Sequence, residues 1–173
     1  KDDLVVFAAN TTAPLARVSA SGGTPEPLTA LAAGHLGHRW PQFLPDGRVL
    51  FFVQSAEPEV EGIYVASLGK PAAVQVRSTA SGGAYAAGRL LFVLDGELVA
   101  QPLDLATLKL SGEAAPVGLK VSASTSMNSA MSASSDGSIA TWHSGGEISE
   151  LVWFDRKGTR LGTVGLSDRY VDF

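Results

Sequence analysis

Two histidines three residues apart, His35 and His38, come closer to a metal-binding pair than any other residues of this sequence. Imidazole nitrogens bind zinc and related metals, but such sites usually need three or four protein ligands. The sequence contains no cysteine, and no carboxylate adjoins the pair to complete a ligand set. We therefore predict no metal site and interpret both histidines as loop residues, with metal binding by the pair as the alternative.

Motifs for nucleophilic or phosphoryl-transfer catalysis do not occur in the sequence. It has no Gly-x-Ser-x-Gly elbow, no glycine-rich phosphate loop, and neither the His-Arg-Asp nor the Asp-Phe-Gly motif of protein kinases. A Ser-His-Asp triad assembled from distant positions stays open. Three aspartates, Asp46, Asp95 and Asp136, directly precede glycines, and turn chemistry explains that pattern. We predict no catalytic residue and no cofactor.

Two further groups of residues have both a structural and a functional interpretation. Glu57, Glu59 and Glu61 form an acidic segment that we interpret as a solvated loop, with a bound cation or a basic partner as the alternative. Aromatic side chains on or beside predicted strands are assigned to core packing. The most interesting of them precedes the first strand of a predicted repeat. These aromatic residues are Trp40, which is that residue, and Trp142, Trp153, Tyr64 and Tyr85.

The overall composition limits the class of protein. The chain of 173 residues is long enough for one domain with its own core, and 45% apolar with only 17% charged residues suits many buried strands. The net charge of -4 and the scattered basic residues argue against a nucleic-acid partner. No apolar run approaches the roughly 20 residues of a membrane-spanning helix, and no signal peptide opens the chain. We therefore predict a globular domain without a membrane span.

The clearest structural element is residues 38–53, which we interpret as two strands joined by a tight turn. Pro45-Asp46-Gly47 is that turn, because proline presets one backbone dihedral and glycine accepts a positive φ. Residues 48–53 form an apolar run rich in β-forming residues, which is typical of a buried strand. No sustained apolar period of 3.6 residues occurs, so we predict an all-β fold.

The same element recurs along the chain. Gly47, Gly88 and Gly137 occupy equivalent turns at spacings of 41 and 49 residues, and an Asp-Gly pair predicts a further hairpin. A repeat of about 40 to 50 residues with four short strands per unit is typical of a β-propeller blade. A β-sandwich is the alternative, but it would not predict the repetition. The predicted turn residues are Pro45, Asp46, Gly47, Gly88, Asp95, Gly96, Asp136 and Gly137.

We therefore predict a β-propeller built from four-stranded antiparallel blades, with about four blades' worth of strands. Residues 1–31 supply strands two to four of one blade, three whole blades follow, and residues 170–173 supply one first strand. A small closed ring, an open fragment of a larger propeller and a ring completed by two copies all fit this count. We favour the fragment, because the chain begins and ends abruptly. The three whole blades are residues 38–79, 83–118 and 127–166.

Several stretches of the sequence are similar to known propeller repeats. Residues 41–51, Pro-Gln-Phe-Leu-Pro-Asp-Gly-Arg-Val-Leu-Phe, resemble the P-x-F-S-P-D-G-R-x-I-x-F repeat of TolB-like, WD-type β-propellers, and residues 135–140 match it more loosely. Residues 151–158, together with residues 41–51 and residues 22–25, are similar to the C-terminal propellers of bacterial eukaryotic-like serine/threonine protein kinases. The turn at Gly88 departs from the repeat, because it lacks the Pro-Asp pair.

The resemblance implies a non-catalytic module that binds a protein or a small-molecule ligand, as the sensor domain of a bacterial receptor-like kinase does. It implies an extracytoplasmic location, on the periplasmic or extracellular side of a membrane-anchored protein. It leaves two alternatives: an accessory propeller that gates a prolyl-oligopeptidase-like hydrolase, and a stand-alone TolB-like periplasmic protein. Self-association that completes the ring is a further expectation.

Overall fold

The computed structural model describes residues 3–70, 72–121, 131–134, 137–141, 149–154 and 160–168. Within these ranges every secondary-structure element is a β-strand, so the prediction of an all-β fold is confirmed. The same ranges contain no helix with the length and apolar character needed to cross a bilayer. The chain divides into two compact units, Lys1–Thr141 and Trp142–Phe173.

The first sheet of the larger unit has three antiparallel strands in chain order, β1 (Leu4–Ala8), β2 (Leu15–Ser19) and β3 (Glu26–Pro27). The sequence favours a short strand at residues 27–29, but β3 already ends at Pro27. The backbone turns back at this point, because the N–H groups of Leu28 and Thr29 both donate to the carbonyl oxygen of Leu15. This return buries the Thr29 side chain.

The second sheet is a four-stranded antiparallel meander. Its strands are β4 (His35–Phe43), β5 (Val49–Ser55), β6 (Gly62–Ala66) and β7 (Ala73–Ser78). The sequence predicted that the first of these strands begins at residue 38, but β4 begins three residues earlier, at His35. Strand β4 begins at His35 because its pairing with β5 extends as far as Ser55.

The third sheet contains five strands, three of which follow the predicted meander. Strand β10 (Glu97–Asp104) lies next to β9 (Arg89–Leu94) and pairs on its other side with two short strands, β11 and β12. A short strand, β11, therefore lies in the connection between β10 and β12. The remaining strands are β8 (Ala84–Ala86), β11 (Lys109–Leu110) and β12 (Ala115–Lys120).

A short hairpin completes the larger unit. It is formed by β13 (Met131–Ala133) and β14 (Ile139–Thr141). The smaller unit contains an antiparallel pair, β15 (Ser149–Phe154) and β16 (Arg160–Asp168). The predicted turn residue Asp136 and the predicted last strand, residues 170–173, lie outside the described residues.

The predicted turns adopt two geometries. Gly47 and Gly137 both have a φ of 89°, and the same two backbone hydrogen bonds close both four-residue turns. The Gly88 turn is a tighter two-residue turn that it shares with Ala87, and both residues have positive φ. Asp95 and Gly96 also have positive φ, at 51° and 78°, as the hairpin turn predicted from that Asp-Gly pair requires.

The sheets of the larger unit stack face to face in chain order. One apolar layer separates the first and second sheets, a second layer separates the second and third, and a third layer separates the third sheet from the β13–β14 hairpin. Strand β5 contributes Val49, Phe51 and Val53 to the first layer and Leu50 to the second. It is buried on both faces, which explains why its sequence is apolar without alternation.

Candidate functional site

Two junctions between consecutive sheets contain buried polar side chains and cavities among the described residues of the larger unit. We call the contact of the first and second sheets the first junction, and that of the second and third sheets the second junction. In each, the free edge of the following sheet's first strand is capped. The N–H of His38 on β4 donates to the Ala13 carbonyl, at 3.0 Å. The backbone of Tyr85 on β8 bonds to the side-chain amide of Gln42.

A chain of hydrogen bonds runs through the first junction. The Leu15 N–H donates to Thr29 Oγ1 at 2.9 Å, and that oxygen lies 2.7 Å from His38 Nδ1. His38 Nε2 in turn lies 2.9 Å from His35 Nδ1. The His38 side chain is fully buried, and Thr29 is 3% exposed. The first junction therefore holds an imidazole with both ring nitrogens bonded to side chains.

The direction of this chain follows from counting hydrogens. Thr29 Oγ1 already accepts one N–H, so its own hydrogen needs an acceptor within the junction. That hydrogen is satisfied when the hydroxyl donates to His38 Nδ1, which leaves His38 Nε2 as the protonated nitrogen that donates to His35. The arrangement requires a neutral His38, because a protonated ring would have no lone pair for the Thr29 hydroxyl.

Burial, together with the smaller effect of the nearby His35, lowers the pKa of His38 to about 4. Burial also lowers the pKa of His35. Aromatic rings surround the pair, since the His35 ring lies 5.5 Å from that of Tyr64 and the His38 ring lies 4.8 Å from that of Phe51. Both histidines are therefore neutral near pH 7, and they support the packing of the first sheet on the second.

The sequence interpretation of these two histidines as loop residues is wrong, because both lie on β4 and bond to each other. Among the described residues, no group of three or more histidine, aspartate or glutamate side chains is arranged to hold a metal ion. The acidic segment packs as a turn. The Glu57 N–H donates to Ser55 Oγ, and the Glu59 carbonyl accepts a hydrogen bond from Gln75 Nε2.

In the second junction, one side chain bonds to the edge of β8 as a neighbouring strand would. Gln42 Nε2 donates to the Tyr85 carbonyl at 3.0 Å, and Gln42 Oε1 accepts the Tyr85 N–H at 2.7 Å. This pair of bonds satisfies the outer edge of β8, which would otherwise expose an unpaired donor and acceptor. Below it, the Arg77 guanidinium lies 4.9 Å from the centre of the Phe92 ring.

Two cavities flank Gln42 in the second junction. One, of about 300 Å³, is lined by residues 40–42 of β4, residues 82–84 and residues 131–133 of β13. The other, of about 430 Å³, is lined by residues 42–45 and 85–87 and is largely apolar. The smaller cavity touches strands from the second and third sheets and from the β13–β14 hairpin. We define it as the Trp40 cavity.

Trp40 has an unusual backbone in this cavity. Its φ is 57°, in the left-handed region that bulky residues rarely occupy, and the next residue is Pro41, which disfavours folded conformations before it. The β4–β5 register shifts between Arg39 and Gln42, so Trp40 lies in a β-bulge. Bulges redirect side chains and are frequent beside functional sites.

The indole nitrogen of Trp40 is buried and makes no hydrogen bond. A Cβ added to Gly82 would lie 3.1 Å from Trp40 Cδ1, the atom next to that nitrogen, so the pyrrole edge of the indole packs against the glycine backbone. Gly83 is more tightly constrained, because its Cβ would lie 2.5 Å from Ile63 Cδ1 and 2.6 Å from the Leu91 carbonyl oxygen. These two glycines let the second and third sheets approach each other.

The turn residue Asp46 does not take part in either cavity. Its carboxylate accepts the Arg48 N–H at 3.0 Å and the Arg48 guanidinium at 2.6 Å, and Arg48 also bonds to the Leu105 carbonyl of the third sheet. The sequence points to Trp40 but assigns no role to Thr29 or Gln42. Thr29 belongs to no motif, Gln42 occupies a variable position of the repeat-like segment 41–51, and their partners lie 9 and 43 residues away.

Comparisons of the chain with protein-family models, with curated proteins and with solved structures find no match. The geometry of the two junctions is therefore the basis for assigning a function to this chain.

Proposed function

We propose that this chain is a non-catalytic binding module of the β-propeller type, with its ligand site at the edge where the first strands of successive sheets meet. The observation that carries this proposal is the stacking of the sheets in chain order, each buried on the faces that meet its neighbours. Antiparallel sheets that follow one another radially are the building plan of a propeller.

The position of the first strands supports the same proposal. Strand β4 is joined to β8 through the Gln42 amide, and β8 packs near β13. The first strand of each sheet therefore lies beside the first strand of the next. In a propeller these strands line the centre of the ring, and the cavities between them offer concave surfaces of the size that small ligands use.

Chemistry at this edge favours binding over catalysis. The residues lining the two cavities include no ionisable side chain other than the Tyr85 phenol. General acid–base catalysis near neutral pH needs a group that titrates there, and nucleophilic catalysis needs an activated nucleophile. The buried histidines lie in the other junction, where both ring nitrogens of His38 already have partners.

The similarity of residues 41–51 and 151–158 to propeller repeats of receptor-like kinases supports a role as a sensor or interaction domain. The coding sequence on either side of this chain tests that part of the proposal. A kinase domain and one membrane span would support the sensor role, whereas an α/β-hydrolase domain would replace it with a gating role.

A fragment screen tests the binding function. Small uncharged and charged fragments are titrated into the nitrogen-15-labelled chain, and the amide signals are followed by two-dimensional NMR. We expect saturable shifts that cluster on β4, β8 and β13. Shifts confined to the exposed strands β7 and β12, or chemical turnover of a fragment, would contradict the proposal.

A further inference from the structure

We propose that the Trp40 cavity binds a small, uncharged ligand that accepts a hydrogen bond from the Trp40 indole. This inference deepens the proposed function and rests on it, because it names one site and one chemical class of ligand. The cavity, of about 300 Å³, is bounded by β4, β13 and residues 82–84.

The Trp40 indole has an unused hydrogen-bond donor. The indole Nε1 of Trp40 is buried without a hydrogen-bond partner, whereas buried polar groups in folded proteins are almost always paired. Leaving such a donor unpaired costs free energy, and a phenylalanine of similar shape would avoid that cost. The pyrrole edge that carries the donor lies against Gly82, which itself lines the cavity. A small movement of the indole would bring the donor to a bound ligand.

The backbone of Trp40 is strained. Trp40 combines a φ of 57°, a bulky side chain and a following proline. Glycine would relieve the first of these at once, since it adopts positive φ without steric cost. Strained positions of this kind cluster at binding and catalytic sites, where the surrounding fold holds them in place. The bulge thus places a tryptophan at the cavity in a backbone conformation that bulky residues disfavour.

The composition of the lining gives the ligand class. None of the described residues that line the cavity carries a charge, so an ionised ligand would lose its hydration there without an ion pair from these residues. The walls combine apolar groups with a few polar ones, including the Ser132 hydroxyl and the Gln42 amide. The volume lies at the lower end of the range of about 300 to 1,000 Å³ for small-molecule sites. A blocked amino-acid amide is uncharged, combines apolar with polar groups and is small enough for a cavity of this volume.

The test uses N-acetyl-leucinamide as the probe and N-acetyl-leucine, which is anionic at neutral pH, as its charged counterpart. The chain contains three tryptophans, and a Trp40→Phe variant identifies the Trp40 indole signal by its loss. We expect the neutral probe to shift this signal saturably, and the charged counterpart to bind more weakly. Trp40→Phe should weaken binding roughly tenfold, which corresponds to one hydrogen bond.

Two further variants keep the result interpretable. Tyr64→Phe removes one polar group from an aromatic side chain of the first junction, and it should leave probe binding unchanged. Gly82→Ala places a methyl group 3.1 Å from Trp40 Cδ1, so it should move the indole signal and weaken binding even if Trp40→Phe fails to fold.

The inference is overturned if the Trp40 indole signal does not move on saturation, if Trp40→Phe binds the probe as tightly as the parent chain, or if the anionic probe binds equally well. Fragments that bind at the larger apolar cavity beside Pro45 would overturn this inference and leave the proposed function standing. Failure of both screens would remove the proposed function as well.

Discussion

The first and second junctions both cap a strand edge, but they fill the space behind it differently. In the first junction the space is occupied by the Thr29–His38–His35 chain and by aromatic rings. In the second, the Gln42 side chain spans an interface with a cavity on each side. One junction is filled around a buried imidazole, and the other contains two cavities.

We propose that this difference separates the part of the fold that determines stability from the part that binds a ligand. A buried polar network that is fully bonded specifies a single packing, but its free energy depends on protonation. A cavity lowers packing energy and leaves room for a ligand. We therefore expect changes in the first junction to alter folding and its pH dependence, and changes in the second to alter ligand binding at a smaller cost in stability.

The largest expected effect comes from the glycines that bring the sheets together. A Cβ at Gly37 would overlap the Thr11 carbonyl oxygen, which belongs to the backbone and cannot rotate away. Gly37→Ala should therefore lower the free energy of unfolding by roughly 3 kcal/mol or more. The matched variant Gly82→Ala meets only the edge of a side chain and should cost far less. Urea denaturation measures both, and equal losses would contradict a sealed first junction.

The next effect is pH dependence in the first junction. The pKa of His38 is about 4 in the folded chain against about 6.5 in the unfolded chain. The unfolded chain therefore binds a proton first as the pH falls. The stabilisation contributed by the neutral ring is complete above about pH 6.5, is lost as the pH falls toward 4, and changes little below that value. A difference of this size corresponds to roughly 3 kcal/mol.

Other titratable groups lie near the pair, including the Glu57 carboxylate beside Gly34 and the Tyr64 phenol. Their contribution is separated by measuring unfolding free energies at pH 7, 5.5 and 4 for the parent chain and for His38→Gln, which does not titrate. We expect the variant to show a flatter profile. An equally steep profile would place the pH dependence outside the first junction.

A smaller loss is expected for the strand-like contact of the second junction. Gln42→Ala removes two hydrogen bonds and leaves the N–H and C=O of Tyr85 unpaired at the edge of β8. The expected cost is roughly 2 kcal/mol. Gln75→Ala, which removes a single exposed side-chain bond, is the matched control. Hydrogen exchange at the Tyr85 amide should speed up in the first variant alone; unchanged protection would mean that Gln42 does not cap the strand.

The smallest effect is expected at the turn that dominates the sequence pattern. Asp46→Ala removes a partly exposed ion pair with Arg48 and a bond to the turn backbone. Exposed ion pairs contribute little, so we expect a loss of about 1 kcal/mol or less. Glu26→Ala, which breaks the more exposed pair with Arg17, should cost still less. Thermal unfolding compares the two; a large loss for Asp46→Ala would give this turn a role in joining the sheets.

Local features of the fold were predictable from the sequence because their causes are local. The turn at Gly47 and the hairpin at Asp95 and Gly96 follow from backbone preferences of a few adjacent residues. The apolar run of β5 likewise predicted a buried strand.

The junctions were not predictable, because their contacts join residues that are distant in the sequence. His38 reads as a loop residue until Thr29 and Leu15 are brought against it by the return of the chain after β3. Gln42 reads as an ordinary strand residue, since its partner lies 43 positions later. The positive φ of Trp40 contradicts both its size and the following proline, so no local rule predicts it.

The most direct test of the contrast between the junctions is a map of amide shifts on titration with N-acetyl-leucinamide. The account predicts saturable shifts at the second junction, on Gln42, Gly83 and Ala84, and none at the first junction, on Thr29 and His38. Shifts of equal size in both junctions, or shifts at the first junction alone, would contradict it.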